Sequence, residues 1–369
     1  MELAVSVHNT DRVYRLFYLP CRECVWRRAC YSIERLIEQY QAGPWLENCS
    51  MSYLFRNERK NIMNAVGTST PLGFIGVGAM GSLIVRRLLA HEYKVTVYDR
   101  NRRKSESLIA YGATVADSIA ETARQTKVIL SCLTDDAAVR QVYLGPDGVL
   151  AHTIQGTIIV EMSTIRPGTS RELAREGADH GIHVLDVAIS GSTPALEQGN
   201  VTLLGGGDAE IFAALGPTFE TIARQYFHLG PSGSGTAAKL VVNTLLGVGM
   251  QAIAEACVFG EQQGLNREQL LTVLSKTAVV APAHAGKLLR AVHDDYAPQF
   301  PLRLMNKDFR LITEAASELD LALPATEAAF QVNSEALALG PDQDFSIVIR
   351  EMESRSQEAD IKQEVTHLV

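Results

Sequence analysis

The chain has 369 residues, 46% of them hydrophobic and 21% charged, which suits two domains plus appended material and argues against a disordered polymer. A net charge of −8 argues against nucleic acid or an anionic membrane as the main partner. Six unevenly spread cysteines do not make a secreted disulfide framework, and no basic start followed by an apolar stretch marks a signal peptide; the expectation is a soluble protein of the reducing cytoplasm.

Residues 1–70 differ from the rest. They hold Cys21, Cys24, Cys30 and Cys49, both tryptophans and nine of the 24 Phe, Trp and Tyr residues, and they carry +2 against −10 for the remainder. Their acids argue against a mitochondrial transit peptide, which is acid-poor. Cys21-x-x-Cys24 is half of a zinc pattern, but no second CxxC or HxxxH pair completes it, so no metal is expected. Met63 lies ten residues before Gly73, where the patterned part of the chain begins, and residues 1–62 read as an appended or mis-assigned extension.

The stretch from Leu72 to Asp99 organises the chain. Leu72 to Ile75 reads as a buried strand that breaks into Gly76-x-Gly78-x-x-Gly81. Met80, Leu83, Ile84 and Leu88 follow at helical spacing, and Val95 to Tyr98 is a second strand ending in Asp99. Strand, glycine turn, helix, strand and acid is the order of a dinucleotide-binding βαβ unit. Gly76 permits the tight turn, Gly78 admits a pyrophosphate to the backbone, and Gly81 lets helix and strand pack closely. The helix N-terminus then offers free N–H groups and a positive dipole end. The competing reading is a glycine-rich turn that holds no ligand.

The alternation continues with strands at Val128–Leu133, Thr157–Met162, Ile182–Val187, Val201–Leu204 and Tyr226–Leu229, which predicts a mostly parallel sheet covered on both faces. After Gly233-Ser-Gly235 the pattern changes. Residues 236–262 are apolar nearly all round and contain no proline, as in a long helix buried on most sides. Lys239 and Glu255 oppose the alternative of a membrane span, since a lysine at midplane costs about 2.5–3.5 kcal/mol. Later segments read as helices over 267–277, 282–293, 305–320, 324–339 and 345–353, and the chain past Arg355 reads as a loose polar tail.

Ligands of open α/β sheets bind beyond the carboxyl ends of the strands, where Ser163-Thr164 and Ser190-Gly191-Ser192 fall. The N–H groups and hydroxyls at 190–192 suit a carboxylate, or else serve as a turn with capping serines. Lys239 and Asn243 share one face of the apolar helix. Burial lowers a lysine's pKa towards the range of proton transfer near neutral pH; the alternative is a lysine whose stem is buried and whose head reaches water. Lys307-Asp308 by itself is an ordinary helix start.

Five ordered motifs carry a resemblance over about residues 72–353. They are Gly73-Phe-Ile-Gly-Val-Gly-Ala-Met-Gly81, Met162-Ser-Thr164, Asp186-Val-Ala-Ile-Ser-Gly-Ser192, Gly233-Ser-Gly-Thr-Ala-Ala-Lys-Leu-Val-Val-Asn243 and Asn306-Lys-Asp308. Together they resemble the β-hydroxyacid dehydrogenases, with Ser-Gly-Ser192, Phe300-Pro-Leu and Asp344-Phe-Ser346 closest to the glyoxylate/succinic semialdehyde reductase branch. The resemblance implies an α/β Rossmann-type dinucleotide-binding domain over 71–233, followed by an all-α domain over 234–355 that dimerises, with a cleft between them and a polar tail over 356–369. The assembly would be a homodimer or homotetramer.

It implies an NAD(P)H-dependent reductase of a small carboxylate-bearing aldehyde or keto acid, with Lys239 as general acid/base and Asn243 orienting the substrate. Ser190, Gly191 and Ser192 would hold the substrate carboxylate, and Phe300 and Asp308 would line its pocket. Gly76, Val77, Gly78, Ala79, Met80, Gly81, Asp99, Arg100, Leu133, Thr134, Thr164 and Lys307 match cofactor-contacting positions. Asp99 favours NAD, whereas Arg100, Arg102 and Arg103 suit the 2′-phosphate of NADP. Ala188 replaces the family's usual proline, a change expected to loosen the substrate loop. An imine reductase of the same architecture, opposed by Lys239, and a non-catalytic dinucleotide-binding protein are the alternatives.

Overall fold

The computed structural model describes residues 67–367, with side chains as far as Gln357, and the pair Val7–Asn9 and Arg12–Tyr14. The chain divides into two units, Met1–Asn61 and Ile62–Val369. In the first, Val7–Asn9 pairs antiparallel with Arg12–Tyr14. Cys21, Cys24 and Met63, like every other residue up to 66 apart from that strand pair, lie outside the described residues.

The second unit is built on an eight-stranded sheet. Its strands are β1 (Leu72–Ile75), β2 (Val95–Tyr98), β3 (Thr114–Val115), β4 (Val128–Ser131), β5 (Ile158–Glu161), β6 (His183–Ser190), β7 (Thr202–Gly206) and β8 (Gln225–His228). They lie in the order β8-β7-β6-β5-β4-β1-β2-β3. From β3 to β6 every pair is parallel, in the 3-2-1-4-5-6 order of a dinucleotide-binding fold. β7 then runs antiparallel to β6, and β8 parallel to β7. Helices α1 (Ala79–Ala90), α2 (Arg102–Glu106), α3 (Ile119–Gln125), α4 (Asp136–Leu144), α5 (Val149–His152), α6 (Pro167–Asp179), α7 (Thr193–Glu197), α8 (Ala209–Ala214) and α9 (Gly216–Ile222) connect them.

The central strands are buried on both faces, which is why β1, β4 and β5 are nearly unbroken apolar runs. Period-2 alternation sorts them: Leu72, Phe74, Leu130 and Val160 join Ile84 and Leu88 of α1 in one layer. Ile75, Ile129 and Ile159 join Tyr143 and Leu173 in the other. Parallel register brings Tyr98, Ile75, Ser131 and Glu161, the last residues of β2, β1, β4 and β5, into one row with Asp186, beyond which β6 runs on to Ser190. The crevice between β1 and β4, where the chain turns from one half of the sheet to the other, opens at that row.

The helical part comprises α10 (Ser234–Gln262), α11 (Arg267–Leu274), α12 (Pro282–Ala291), α13 (Leu302–Ser317), α14 (Pro324–Glu335) and α15 (Val348–His367). α10 is long and apolar enough to cross a membrane by length and composition. Here it packs against β6, β7, α13, α14 and α15, and its Leu240, Met250, Ala254 and Cys257 enter a core with Leu288, Met305, Phe309 and Ile349. The tail expected to loosen past Arg355 instead continues as helix to His367. No Gly or Pro follows Val348, and polarity alone does not stop a helix. Ala188, expected to loosen the loop, is fully buried within β6 opposite Leu204; the loop begins only after Ser190.

Candidate active site

Gly76 ends β1 at φ +91°, and a Cβ there would sit 2.5 Å from the Cys132 carbonyl oxygen, so both conformation and space demand glycine. A Cβ on Gly81 would meet the Gly76 carbonyl at 2.2 Å, which sets how closely α1 approaches the turn. Beside Gly78, in contrast, no atom comes within 4 Å of a Cβ position. Gly78 caps α1 with no side-chain hydrogen bond and no acid in the first turn, which holds Ala79, Met80 and Gly81. The N–H groups and dipole end of α1 are therefore available to phosphate. The buried Val77 donates its N–H to Asp99 Oδ2 at 3.0 Å, and Asn101 donates to Oδ1 at 2.8 Å, so Asp99 ties the turn to the end of β2. Arg100 is exposed beside it, while Arg102 is clasped by Glu106 and Asp117.

Across the crevice, the Leu133 N–H donates to Ser163 Oγ at 2.7 Å, with Thr134 exposed next to it. Ser163 in turn donates from its N–H and hydroxyl to the buried Glu161. Burial pushes the Glu161 carboxyl up to about 7, against the pull of the Ser163 hydrogen bonds. Glu161 and Ser163 thus hold the loop carrying Leu133, roles the residue pattern did not assign. The signal was there: a carboxylate inside an apolar strand is costly unless partnered.

Asp186 of β6 is the second such residue. It accepts the Gly233 N–H at 2.8 Å, and the Thr236 N–H and hydroxyl at 2.9 and 3.2 Å. It thereby satisfies N–H groups at the start of α10 that would otherwise be orphaned. At the end of the same strand Ser190 is half-buried and Gly191 exposed, at φ +149°. Ser192 caps α7, accepting the Ala195 N–H at a long 3.4 Å. The capping reading therefore holds for Ser192 alone.

Lys239 follows one turn into α10 and is half-buried. Burial pushes its ammonium down to about 8, Lys307 adding to the shift and Asp308 opposing it. Asn243, wholly buried, donates from Nδ2 to Asp308 Oδ2 at 2.6 Å and keeps its Oδ1 without a partner. Lys307 lies 2.8 Å from Asp308 Oδ1 and donates to the Thr164 carbonyl at 2.7 Å. One connected polar group thus joins α10, α13 and the loop after β5. Lys307 is in this way engaged with protein, and Thr164 contributes its carbonyl to it. Phe300, just ahead of α13, stands edge-on to Phe345 at 5.8 Å and packs against the helical core.

The open cradle at Gly78 and the uncapped start of α1 fit a dinucleotide, and comparison with known proteins agrees. Residues 71–230 match the NAD-binding domain of 6-phosphogluconate dehydrogenase. Residues 233–352 match the domain described as NAD-binding of NADP-dependent 3-hydroxyisobutyrate dehydrogenase. Glyoxylate/succinic semialdehyde reductase 1 of Arabidopsis thaliana is 33% identical over 279 residues, 75% of this chain and 96% of that protein. The solved 3-hydroxyisobutyrate dehydrogenase of Mycobacterium tuberculosis with L-serine superposes with a TM-score of 0.71 at 28% identity, covering 76% of this chain and 98% of that one. An imine reductase from Myxococcus stipitatus, at 22% identity and a TM-score of 0.54 over 77% of this chain and 99% of that one, shares the fold alone. From its glycine turn to the helices that carry Lys239 and Asp308, the chain belongs to the β-hydroxyacid dehydrogenases and is an NAD(P)-dependent oxidoreductase.

Proposed function

We propose that the protein interconverts a small carboxylate-bearing aldehyde or keto acid, of the glyoxylate, succinic semialdehyde or 3-hydroxyisobutyrate type, with its hydroxy acid, and that Lys239 is the general acid/base. The observation that carries the reading is the placement of Lys239 on α10, one turn past the helix start that Asp186 holds and on the helix that brings Asn243 to Asp308; burial pushes its ammonium down to about 8, with Asp308 opposing the shift. A group with that pKa is largely protonated near neutral pH yet gives up its proton readily.

The Gly76–Gly81 turn and the start of α1 would hold the cofactor's pyrophosphate, Asp99 its ribose, and the Leu133–Thr134 and Thr164 loops its nicotinamide end. When bound, the reduced cofactor supplies the hydride. The protein supplies the rest. Ser190 and the N–H groups of 190–192 receive the substrate carboxylate. Lys239 faces the charge that grows on the carbonyl oxygen, stabilises it and delivers the proton; in the oxidative direction its neutral amine takes the proton back. Asn243 is locked by Asp308 through Nδ2, which leaves Oδ1 to orient a donor on the substrate or on Lys239.

The assembly is proposed to be a dimer formed through α10. Val241, Leu245 and Phe259 are 64, 72 and 69% exposed and share one face with the exposed Ala252 and Ala256. A contiguous apolar strip of this kind marks an interaction surface. Turnover of glyoxylate and succinic semialdehyde with NADH and NADPH, beside uncharged aldehydes of the same length, tests the function. The expected result is turnover that depends on the carboxylate; equal activity on the uncharged aldehydes, or none on any carboxylate substrate, would overturn it.

A further inference from the structure

α12 carries two buried polar side chains that the proposed chemistry does not use. His284 reaches α10, its Nε2 2.9 Å from the Leu246 carbonyl, three residues past Asn243. One turn on, Lys287 Nζ lies 2.7 and 2.6 Å from the two carboxylate oxygens of Asp344 and 4.7 Å from the centre of the Phe345 ring. Lys287 is 7% exposed and Asp344 1%. Two charges taken out of water repay their desolvation only with excellent geometry and further hydrogen bonds. Asp344 has them: Oδ2 accepts the Gln299 and Phe300 N–H groups at 3.0 and 3.1 Å, and Oδ1 the Ser346 N–H and hydroxyl at 3.1 and 2.9 Å. Burial pushes Asp344 up, but Lys287 and these donors outweigh it and hold the carboxyl below the usual range.

What the pair fastens is the start of α13. That helix has no side-chain cap. The Leu302 N–H goes instead to the Gln343 carbonyl at 2.8 Å and the Arg303 N–H to the Pro341 carbonyl at 2.9 Å. The Asp344 N–H bonds the Tyr296 carbonyl at 2.8 Å, and the Phe345 N–H the Phe300 carbonyl at 3.0 Å. Asp344 is the centre of this clasp between residues 296–303 and 341–346. Lys307 and Asp308 stand in the second turn of the helix so fixed.

We infer that Lys287 is a positioning residue: through its buried pair with Asp344 it fixes the start of α13 and so the distance of Asp308 from Lys239 and Asn243. The inference rests on the reading of Lys239 as general acid. The charged groups facing Lys239 are Asp308, which raises its pKa, and Lys307, which lowers it. If the clasp loosens and Asp308 draws away, Lys239 loses its proton at lower pH, and the alkaline fall in kcat for reduction moves down the pH scale. A role in stability alone would leave that limb in place.

The test is the kcat–pH profile of Lys287→Met/Asp344→Asn, which removes both charges and strands neither, with Asp308→Asn as reference. The double variant is expected to keep NAD(P)H affinity within about twofold of wild type and to lose about tenfold or more in kcat, the size of effect that misplacement near the chemistry produces. Its alkaline limb should shift towards that of Asp308→Asn. A folded double variant with near-wild-type kcat and an unmoved limb overturns the inference. If Asp308→Asn itself leaves the limb unmoved, it is the reading of Lys239 that fails. Should the double variant not fold, Lys287→Gln is measured in the same way and judged by the same outcomes.

Discussion

Asp99 accepts two backbone N–H groups, from Val77 and Asn101, and a carboxylate has about four lone-pair sites, so two remain for the hydroxyls of a ribose. The basic residues that follow it are not equivalent. Arg102 is occupied by Glu106 and Asp117, which leaves the exposed Arg100 and Arg103 to attract a 2′-phosphate. We propose that the fixed acid at the strand end outweighs the two exposed arginines and tilts the site towards NAD. Asp99→Asn removes the repulsion and is expected to raise the kcat/KM ratio of NADPH to NADH. A wild-type enzyme that already prefers NADPH by about tenfold or more, some 1.4 kcal/mol, would show that the arginines dominate.

At the scale of elements, Asp186 shows how a strand places a helix. Its carboxylate takes the Gly233 and Thr236 N–H groups, so β6 holds the first turn of α10, the turn before Lys239. Asp186→Ala leaves those donors buried and unpaired, and is expected to cost about 1–3 kcal/mol. The same change at the exposed cap Asp208, which serves only α8, should cost nearer 1 kcal/mol. Urea denaturation of the two variants compares them, and equal losses would deny Asp186 its special place. The strands were legible because burial on both faces makes an unbroken apolar run. For the same reason the antiparallel turn of β7 was hidden, since such a run carries no direction. β3, two residues at the sheet edge, has no pattern to read. Lys239, Asn243 and Asp308 were legible through their motifs. Asp344 entered only as part of a motif, and its pairing with Lys287 was not legible, because its partner lies 57 residues away and only the fold brings them together.

The whole molecule joins its sheet and helical domains through polar links that include Asp186 to the Thr236 N–H of α10 and Lys307 to the Thr164 carbonyl, while Asp308 to Asn243 ties α13 to α10 within the helical part. A chain starting at Met63 keeps all of them and is expected to melt, with and without NAD(P)H, as the full chain does; an insoluble product or lost cofactor binding would give residues 1–62 a role in this unit. Leu245→Asp puts a charge in the exposed strip of α10, and light scattering should then report a monomer in place of a dimer. An unchanged assembly would clear that face of the role. The central claim is that Lys239 delivers the proton, and the most direct measurement is kcat for Lys239→Met beside its NAD(P)H affinity by fluorescence titration. Methionine keeps the apolar stem, so packing and cofactor affinity should hold. Losing a general acid costs ~10²–10⁴-fold in rate, or roughly 3–5 kcal/mol of barrier, and the account predicts a kcat loss in that range with near-normal cofactor binding. A Lys239→Met enzyme that keeps more than about a tenth of wild-type kcat, well short of that range, would contradict it.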